Sequence, residues 1–411
     1  MPTSKEDFFK KKKIWSEVKD KLLGYYLKPY FTKIMSTRNP TLYVDCFAGK
    51  GKFDDGNPGS PLIAFQCLTN CLSKSVSHRS RSNIRMCFIE LNYADDLRKC
   101  LADRQTGTYS VIEGKFEETI MDLLGEEHKK NPNLNLFLYM DPYGVKALDT
   151  GFFDKLPAMF STAELLINLN SFGFIREACR AMDVVFLEAE KEVFEDLDEF
   201  DRSIFNSIDE LNVVAGGEYW QSIITSYRRG KIDCYEAESE FSKQYKLRLR
   251  KSYRYVLSIP IRLKPGHHPK YRMVFATNHS DGCLLMADSI ANATDYLVVE
   301  IQDGGQRSIL PQTAENELIE DSILEKKVLD LLNNSPDFIH LNKFLADFFN
   351  SYNVICDKKR LSSGMSGSIL KSLEKAGDII VERIPEHKKN GQPTNFWFED
   401  KNHSLRLKLR I

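Results

Sequence analysis

The segment Leu42–Phe53 (LYVDCFAGKGKF) joins a short apolar stretch to an acidic residue and a turn that contains glycine. Asp45 ends the apolar stretch, and Gly49 and Gly51 lie in the turn. Glycine lets a backbone approach a ligand closely and adopts positive φ angles without a steric penalty. A carboxylate at the end of a parallel strand can hold a hydroxyl-bearing or cationic ligand in the crevice above the sheet. The pattern is therefore typical of a site for a nucleoside-type cofactor.

NAD and ATP, two common nucleotide cofactors, fit this turn poorly. It lacks the G-x-G-x-x-G of dinucleotide-binding folds, and it lacks the G-K-[ST] of a phosphate-binding loop. The remaining common ligand of this kind is S-adenosylmethionine (SAM). Phe47 lies in the same turn, so the candidate cofactor-binding residues here are Asp45, Phe47, Gly49 and Gly51.

Two more candidates for cofactor binding follow the next apolar stretches. Glu90 ends the stretch IRMCFIE, where a carboxylate could accept hydrogen bonds from both ribose hydroxyls. Phe116 closes the segment Glu113–Phe116, where an apolar side chain could cover an adenine ring. We expect both residues to contact the same cofactor.

The tetrad Asp141-Pro142-Tyr143-Gly144 follows the apolar stretch NLFLYM and contains the candidate catalytic residues. Asp141 and neighbouring carbonyls, such as that of Pro142, could accept hydrogen bonds from an exocyclic amine and aim its lone pair at the sulfonium methyl. Such alignment lowers a reaction barrier mainly through positioning. Tyr143 could stack on a planar base. The tetrad is similar to the D-P-P-[YF] of DNA amino-methyltransferases and closer to the D-P-[FY]-G of tRNA guanine N2-dimethyltransferases.

Asn168 and Asn170 close the next apolar stretch. They could line the pocket for the acceptor substrate, and the equal alternative is that they only cap the strand.

A parallel sheet would bring these strand-end residues together. Short apolar stretches alternate with helical patterns, which indicates a doubly wound parallel sheet. Two later apolar stretches are joined by a short turn and must therefore pair antiparallel. The predicted strands are 42–46, 84–90, 109–112, 135–141, 163–170, 253–263 and 270–277.

This outline predicts an α/β fold of the class I methyltransferase type, Rossmann-like with an antiparallel last strand, over residues 1–302. Residues 171–250 read as a helical insertion and 303–316 as a Gly/Pro/polar linker. Residues 317–411 read as three helices, at 317–334, 340–351 and 363–376, followed by a hairpin of 378–385 with 394–400. That order predicts a winged helix.

Four lysines of the C-terminal domain are candidates for nucleic-acid binding. Lys371 and Lys375 lie on its third predicted helix, and Lys388 and Lys389 lie at the hairpin tip. A winged helix places such residues against the groove and backbone of a duplex. A protein-binding winged helix with ordinary surface lysines is the equal alternative.

Composition narrows the class of protein. The formal net charge of −1 means that nucleic-acid binding must rely on local patches. No apolar run approaches the roughly 20 residues that cross a bilayer, so we expect no membrane association. The nine cysteines are scattered and odd in number, which predicts reduced thiols in a cytoplasmic protein. No cysteine or histidine spacing indicates a metal site, and we predict none.

An ordered set of motifs resembles the three-Cys-motif partner (TcmP) family over about residues 14–290. The set comprises Trp15 with Lys19, Tyr25-Tyr26, YVDCFAGKGKF, GSPL, CFIELN, FLYMDPYG, ELLINLN and YRMVFATNHSDGCLLMADSI. The resemblance implies a class I methyltransferase-like protein that is encoded beside a cysteine-motif protein of radical-SAM type. It carries over, as site residues, Asp45, Gly49, Gly51, Glu90 and Asp141. Lys50 and Lys115 stand where such motifs often have Pro and Asp.

The sequence therefore predicts a SAM-dependent methyltransferase that acts on an exocyclic amine of a nucleic-acid base, in DNA or RNA. The alternative is an adaptor that binds SAM or nothing and partners a radical-SAM-like three-Cys-motif protein, as in a defence system. A nuclease fits less well, because the chain lacks the paired D…E-x-K carboxylates of metal nucleases.

Overall fold

In the computed structural model of the protein, the apolar stretches of the N-terminal two thirds form strands of one sheet. The chain divides into two units, the first of residues 1–263 and 267–278 and the second of residues 264–266 and 279–411. The structure describes residues 9–10, 12, 14–37, 39–74, 83–104, 108–186, 207–261, 269, 271–296, 319–363 and 367–410.

The first unit contains a seven-stranded sheet with the order β3-β2-β1-β4-β5-β7-β6. Neighbours among β1 to β5 are parallel, whereas β7 pairs antiparallel with both β5 and β6. This confirms the predicted α/β class and the mostly parallel sheet with an antiparallel end, which is compatible with a Rossmann-like fold. The strands are β1 Thr41–Asp45, β2 Ile84–Glu90, β3 Thr108–Glu113, β4 Asn135–Met140, β5 Thr162–Leu169, β6 Tyr255–Ile261 and β7 Tyr271–Thr277.

Nine helices of at least eight residues accompany this sheet among the described residues. The described part of the predicted helical insertion between β5 and β6 consists of helices joined by short turns. Residues 187–206, with the acidic run 194–202, lie outside the described part. The helices are α1 Ile14–Thr37, α2 Ser60–Lys74, α3 Ala94–Leu101, α4 Phe116–Lys130, α5 Thr150–Met159, α6 Ser171–Ala181, α7 Ile208–Ala215, α8 Tyr219–Arg228 and α9 Cys234–Leu249.

Alternating side chains of the strands enter two separate packing layers. Val44 and Leu138 belong to a core that includes α4 to α6 and the inserted helices. On the other face, Tyr26 of α1 stacks on Phe137 with ring centroids 5.5 Å apart, and Phe65 of α2 stacks on Phe88 at 5.7 Å. Because helices cover both faces, the edge formed by the carboxyl ends of β1 to β5 is where a ligand can reach the parallel strands.

The second unit contains helices and a three-stranded antiparallel sheet with the order β8-β10-β9. Helix α10 (Ser280–Tyr296) falls inside the range 1–302 predicted for the first domain, but it belongs to this unit, where it packs against α12 (Leu341–Tyr352). The predicted linker 303–316 lies outside the described residues. The elements are α10 Ser280–Tyr296, α11 Asp321–Asn333, β8 Ile339–His340, α12 Leu341–Tyr352, α13 Lys358–Ser362, α14 Ile369–Ala376, β9 Ile379–Ile384 and β10 Ser404–Leu409.

The predicted partner of β9 was wrong. Residues 394–400 form no strand, and β9 pairs instead with β10, where Leu405 lies opposite Arg383. The segment Ser404–Leu409 alternates buried Leu405 and Leu407 with polar residues, as a half-buried strand requires. In 394–400 only Trp397 is buried, so that segment lacks a continuous apolar face.

Two general properties follow from the described residues. Nowhere in them is there a helix long and apolar enough to cross a membrane. The structure describes all nine cysteines, and no disulfide joins any of them.

A buried carboxyl group lies inside the sheet of the first unit. Glu164 of β5 accepts hydrogen bonds from the Tyr26 hydroxyl at 2.5 Å and from the Thr277 hydroxyl at 3.1 Å. Burial raises the pKa of Glu164 from 4.5 to about 7, although both hydrogen bonds oppose that shift. The folded protein therefore holds a proton that the unfolded chain releases between pH 4.5 and 7.

We predict that Glu164 contributes a fall in the unfolding free energy as pH rises from 4.5 to 7, and that Glu164→Gln removes this contribution. The pKa shift of Glu164 sets the size of this fall in unfolding free energy, which is ~3 kcal/mol. Urea unfolding at pH 5, 6, 7 and 8 measures it, with Glu126→Gln on the exposed face of α4 as the control. Equal pH profiles for wild type and Glu164→Gln would contradict the prediction.

Candidate functional site

A cavity of about 440 Å³ opens at the carboxyl edge of the sheet in the first unit. Its walls come from the segments that follow β1, β2, β3, β4 and β5 and from α1 and β7. The structure thus brings together most of the residues predicted for the first unit. Those that line the cavity are Phe47, Gly49, Gly51, Glu90, Phe116, Asp141, Pro142, Tyr143, Asn168 and Asn170.

Asp45 lies behind this wall rather than on it. It is fully buried, and its Oδ1 accepts a hydrogen bond from the backbone of Phe47 at 3.3 Å. Burial raises the pKa of Asp45 to about 7. Any influence of Asp45 on a ligand would thus be transmitted through its charge and through the turn that it supports.

The turn after β1 depends on its glycines. Gly49 and Gly51 have φ angles of +63° and +81°, a region that residues with a Cβ rarely adopt. A Cβ on Gly51 would lie 2.8 Å from Cδ1 of Leu97 on α3. The carbonyl of Gly51 accepts a hydrogen bond from Gly59 N at 2.9 Å, which fixes the start of α2 against the turn.

Glu90 holds the turn in place. Its Oε2 accepts a hydrogen bond from Gly49 N at 2.8 Å, and its Oε1 accepts from Asn92 N at 2.8 Å and Tyr93 N at 3.1 Å. The carboxylate therefore connects the loops that follow β1 and β2. Two lone pairs on each carboxylate oxygen make four acceptor sites, and these bonds use three of them, so one remains on Oε2 for a ligand hydroxyl.

Aromatic rings form another part of the wall. Phe47 and Phe116 lie with centroids 5.3 Å apart, and Phe116 also meets Phe152 edge-on at 5.9 Å. Pro142 is buried, whereas the Tyr143 side chain is 57% exposed. Phe47 and Phe116 can cover a planar ring inside the cavity, and Tyr143 can cover one at its mouth.

Asp141 is the centre of a polar cluster. Both of its oxygens lie 2.8 Å from the Lys19 ammonium, and Asn168 Nδ2 donates to Oδ1 at 2.7 Å. The Tyr139 hydroxyl lies 3.4 Å from Oδ2. Strands β4 and β5 and helix α1 thus converge on one carboxylate.

Lys19 is a residue of the site to which we assigned no role from the sequence. Its side chain is only 9% exposed, and its ammonium lies 5.6 Å from the centroid of the Tyr271 ring. A signal exists in the sequence, because Lys19 occupies a position on the face of α1 that otherwise buries Leu22, Leu23 and Tyr26. A lysine on such a face needs a partner.

A second ion pair adjoins the first. The Lys12 ammonium lies 2.5 Å from Asp20 Oδ2 and donates to the Pro58 carbonyl at 2.7 Å. Burial raises the pKa of Asp20 to about 6, against the effect of Lys12. We call Lys12, Asp20, Lys19 and Asp141 the charge chain; it alternates in sign and carries no net charge when all four groups are ionised.

The four lysines predicted to bind nucleic acid lie in the second unit. Lys371 and Lys375 are one helical turn apart on α14, away from its buried Leu370 and Leu373. Lys388 and Lys389 lie at an exposed tip where Lys388 N donates to the Gln392 carbonyl at 2.7 Å.

Asn170, in the first unit, caps α6 by accepting from Gly173 N at 2.8 Å.

Comparisons with known proteins do not assign this chain to a family. No protein-family model matches the chain, and no curated protein matches its sequence. The resemblance to the TcmP family therefore stays a prediction. The described His, Cys, Asp and Glu side chains also form no group of three that could hold a metal ion.

We predict that Gly51→Ala lowers the unfolding free energy by about 1–3 kcal/mol, because alanine is strained at a positive φ and collides with Leu97. Gly125→Ala is the matched control. Gly125 lies inside α4 with open space around its Cβ position, so alanine should stabilise the protein by roughly 0.5–1 kcal/mol. Thermal unfolding of both variants measures the difference, and equal shifts would refute the role given to the turn.

Proposed function

We propose that the protein is a SAM-dependent methyltransferase that acts on an exocyclic amine of a nucleic-acid base. One observation carries the proposal: the glycine turn, Glu90 and the Asp141-Pro142-Tyr143 segment share one cavity at the carboxyl edge of the sheet. The antiparallel hairpin that ends the otherwise parallel sheet supports a class I methyltransferase fold.

The residues present fit this cofactor. The backbone of Gly49 and Gly51 allows close approach, Glu90 offers a carboxyl acceptor for a ribose hydroxyl, and Phe47 with Phe116 offers an apolar slot for adenine. SAM, when bound, supplies a methyl group on a positively charged sulfur. Asp141 and Asp20 also line the cavity, and each is paired with a lysine, so the wall offers charged groups of both signs.

Asp141 would orient the acceptor. Asn168 and Lys19 hold its carboxylate in one position, so an amine that donates to it is held in one direction. Tyr143, exposed at the cavity mouth, would stack on the base that carries the amine. The contribution of these residues is positioning.

The second unit suggests how a nucleic acid would be held. Its helices and three-stranded antiparallel sheet are consistent with a winged helix, in which α14 and the segment between β9 and β10 would approach a duplex. Lys371, Lys375, Lys388 and Lys389 lie on those two elements. They would contact phosphates and provide affinity rather than sequence choice.

One observation favours a second candidate, the SAM-binding adaptor. Lys19 already contacts both oxygens of Asp141, so an acceptor amine must compete with an ammonium for the same carboxylate. A protein that binds SAM and transfers no methyl group would leave that pair undisturbed. A three-Cys-motif protein would then be its partner.

Calorimetry with SAM tests the cofactor. We expect wild type to bind with micromolar affinity and Glu90→Gln to bind at least about tenfold more weakly, because the variant loses a charged acceptor for ligand and turn. Glu113→Gln is the matched control, since Glu113 ends β3 beside Glu90 and is exposed. Absence of SAM binding by folded wild type would reject the proposed function.

Transfer from radiolabelled SAM to bulk tRNA and sheared DNA tests the reaction. We predict that Asp141→Asn lowers the rate at least ~100-fold, as expected for lost alignment, while SAM affinity changes less than about threefold. Loss of SAM binding together with transfer would contradict the separate roles of Asp141 and Glu90. Binding of SAM by wild type without transfer to either acceptor would favour the adaptor.

The lysines of the second unit have their own test. Replacing Lys371, Lys375, Lys388 and Lys389 with Gln should weaken tRNA or duplex binding and reduce its salt dependence by up to about one unit of slope per lost phosphate contact. Fluorescence anisotropy across a salt series measures both quantities. Lys326→Gln with Lys343→Gln controls for charge at other exposed positions of the unit, and equal effects would refute the assignment.

A further inference from the structure

We propose that Lys19 binds the α-carboxylate of the cofactor's amino-acid moiety while it stays paired with Asp141. This inference rests on the proposed function, because it names a contact of the same cofactor. It gives Lys19 a role in binding, where its salt bridge alone would indicate only a structural one.

The surroundings of the other cavity lysines distinguish Lys19 from them. The Lys50 ammonium lies 5.0 Å and 4.9 Å from the ring centroids of Phe9 and Tyr93. Lys115 pairs with Glu118 at 3.0 Å, and Lys146 pairs with Glu210 at 3.2 Å. These three and Lys52 are exposed or half-buried, whereas Lys19 is buried in the wall beside Asp141.

The ammonium of Lys19 has capacity for another acceptor. It carries three N–H donors, and its hydrogen-bond acceptors among the described residues are the two oxygens of Asp141. A carboxylate with two oxygens engages at most two of those donors in well-directed bonds. The third donor can therefore bind an anionic group of a ligand without breaking the pair.

The charge chain selects the kind of ligand group that fits here. Lys12 with Asp20 and Lys19 with Asp141 already balance each other. A lone anion in this buried place would leave uncompensated charge, which is costly. An amino-acid moiety brings an ammonium and a carboxylate together, so its net charge is zero. Lys19 can take the carboxylate, and the ammonium of the same moiety compensates the negative charge that the carboxylate brings.

Calorimetry with two matched ligands tests this contact. SAM and decarboxylated SAM share the adenosine, the sulfonium and the amine, and differ in the carboxylate. We expect Lys19→Met to weaken SAM binding on the order of tenfold to a hundredfold, as for loss of a charged hydrogen bond. Binding of decarboxylated SAM should not weaken. Lys115→Met, a cavity lysine paired with Glu118, should change neither affinity.

The outcomes separate this inference from the function on which it rests. If wild type binds neither ligand, the proposed cofactor is wrong and the inference falls with it. If wild type binds both and Lys19→Met weakens both equally, the inference alone is overturned. Should Lys19→Met fail to fold, the neutral pair Lys19→Met with Asp141→Asn replaces it, and the same selective loss of SAM affinity is expected.

Discussion

The ion pair between Lys19 and Asp141 is the contact on which the arrangement of the cavity depends. Removing two charges from water costs free energy that only close pairing and further hydrogen bonds offset. The pair meets that condition, since Asn168 also donates to the carboxylate. It links α1, which precedes the sheet, to the carboxyl ends of β4 and β5. A shift of any of these elements would break a partly buried polar contact, so the interactions that stabilise the fold also fix the wall of the cavity.

A second constraint acts on the other side of the cavity. Glu90 accepts hydrogen bonds from three backbone N–H groups in two loops. The positive φ angles of Gly49 and Gly51 shape the turn so that Gly49 N reaches this carboxyl group. One side of the cavity is therefore built from backbone held by a carboxylate, and the other from side chains held by an ion pair. This division matches the chemistry proposed for each side. Glu90 would bind the nucleoside part of the cofactor, and Asp141 with Lys19 would bind the acceptor amine and the amino-acid part of the cofactor.

Much of this arrangement could be predicted from the sequence, because parallel strands bring their carboxyl ends to one edge. Glu90 and Asp141 close apolar stretches, and that position alone placed them together. The pairing of Lys19 with Asp141 could not be predicted, because it joins residues 122 positions apart and depends on how α1 crosses the sheet. The full burial of Asp45 was missed for a similar reason. In the second unit, local apolar content suggested 394–400 as a strand, whereas tertiary packing selected Ser404–Leu409.

The strand order has a consequence for how the chain folds during synthesis. Strand β5 pairs on one side with β7, which begins roughly 100 residues after β5 ends. At about 5–20 residues per second, a nascent chain carries β5 as an open sheet edge for about 5–20 s. Unpaired edges are sites of intermolecular association. Helices α6 to α9 are synthesised during that interval. In the folded protein, Glu238 of α9 forms a buried ion pair with Arg272 of β7, with Oε1 and Nε 2.6 Å apart. The inserted helices thus emerge with one polar partner of β7 already in the chain before β7 is made.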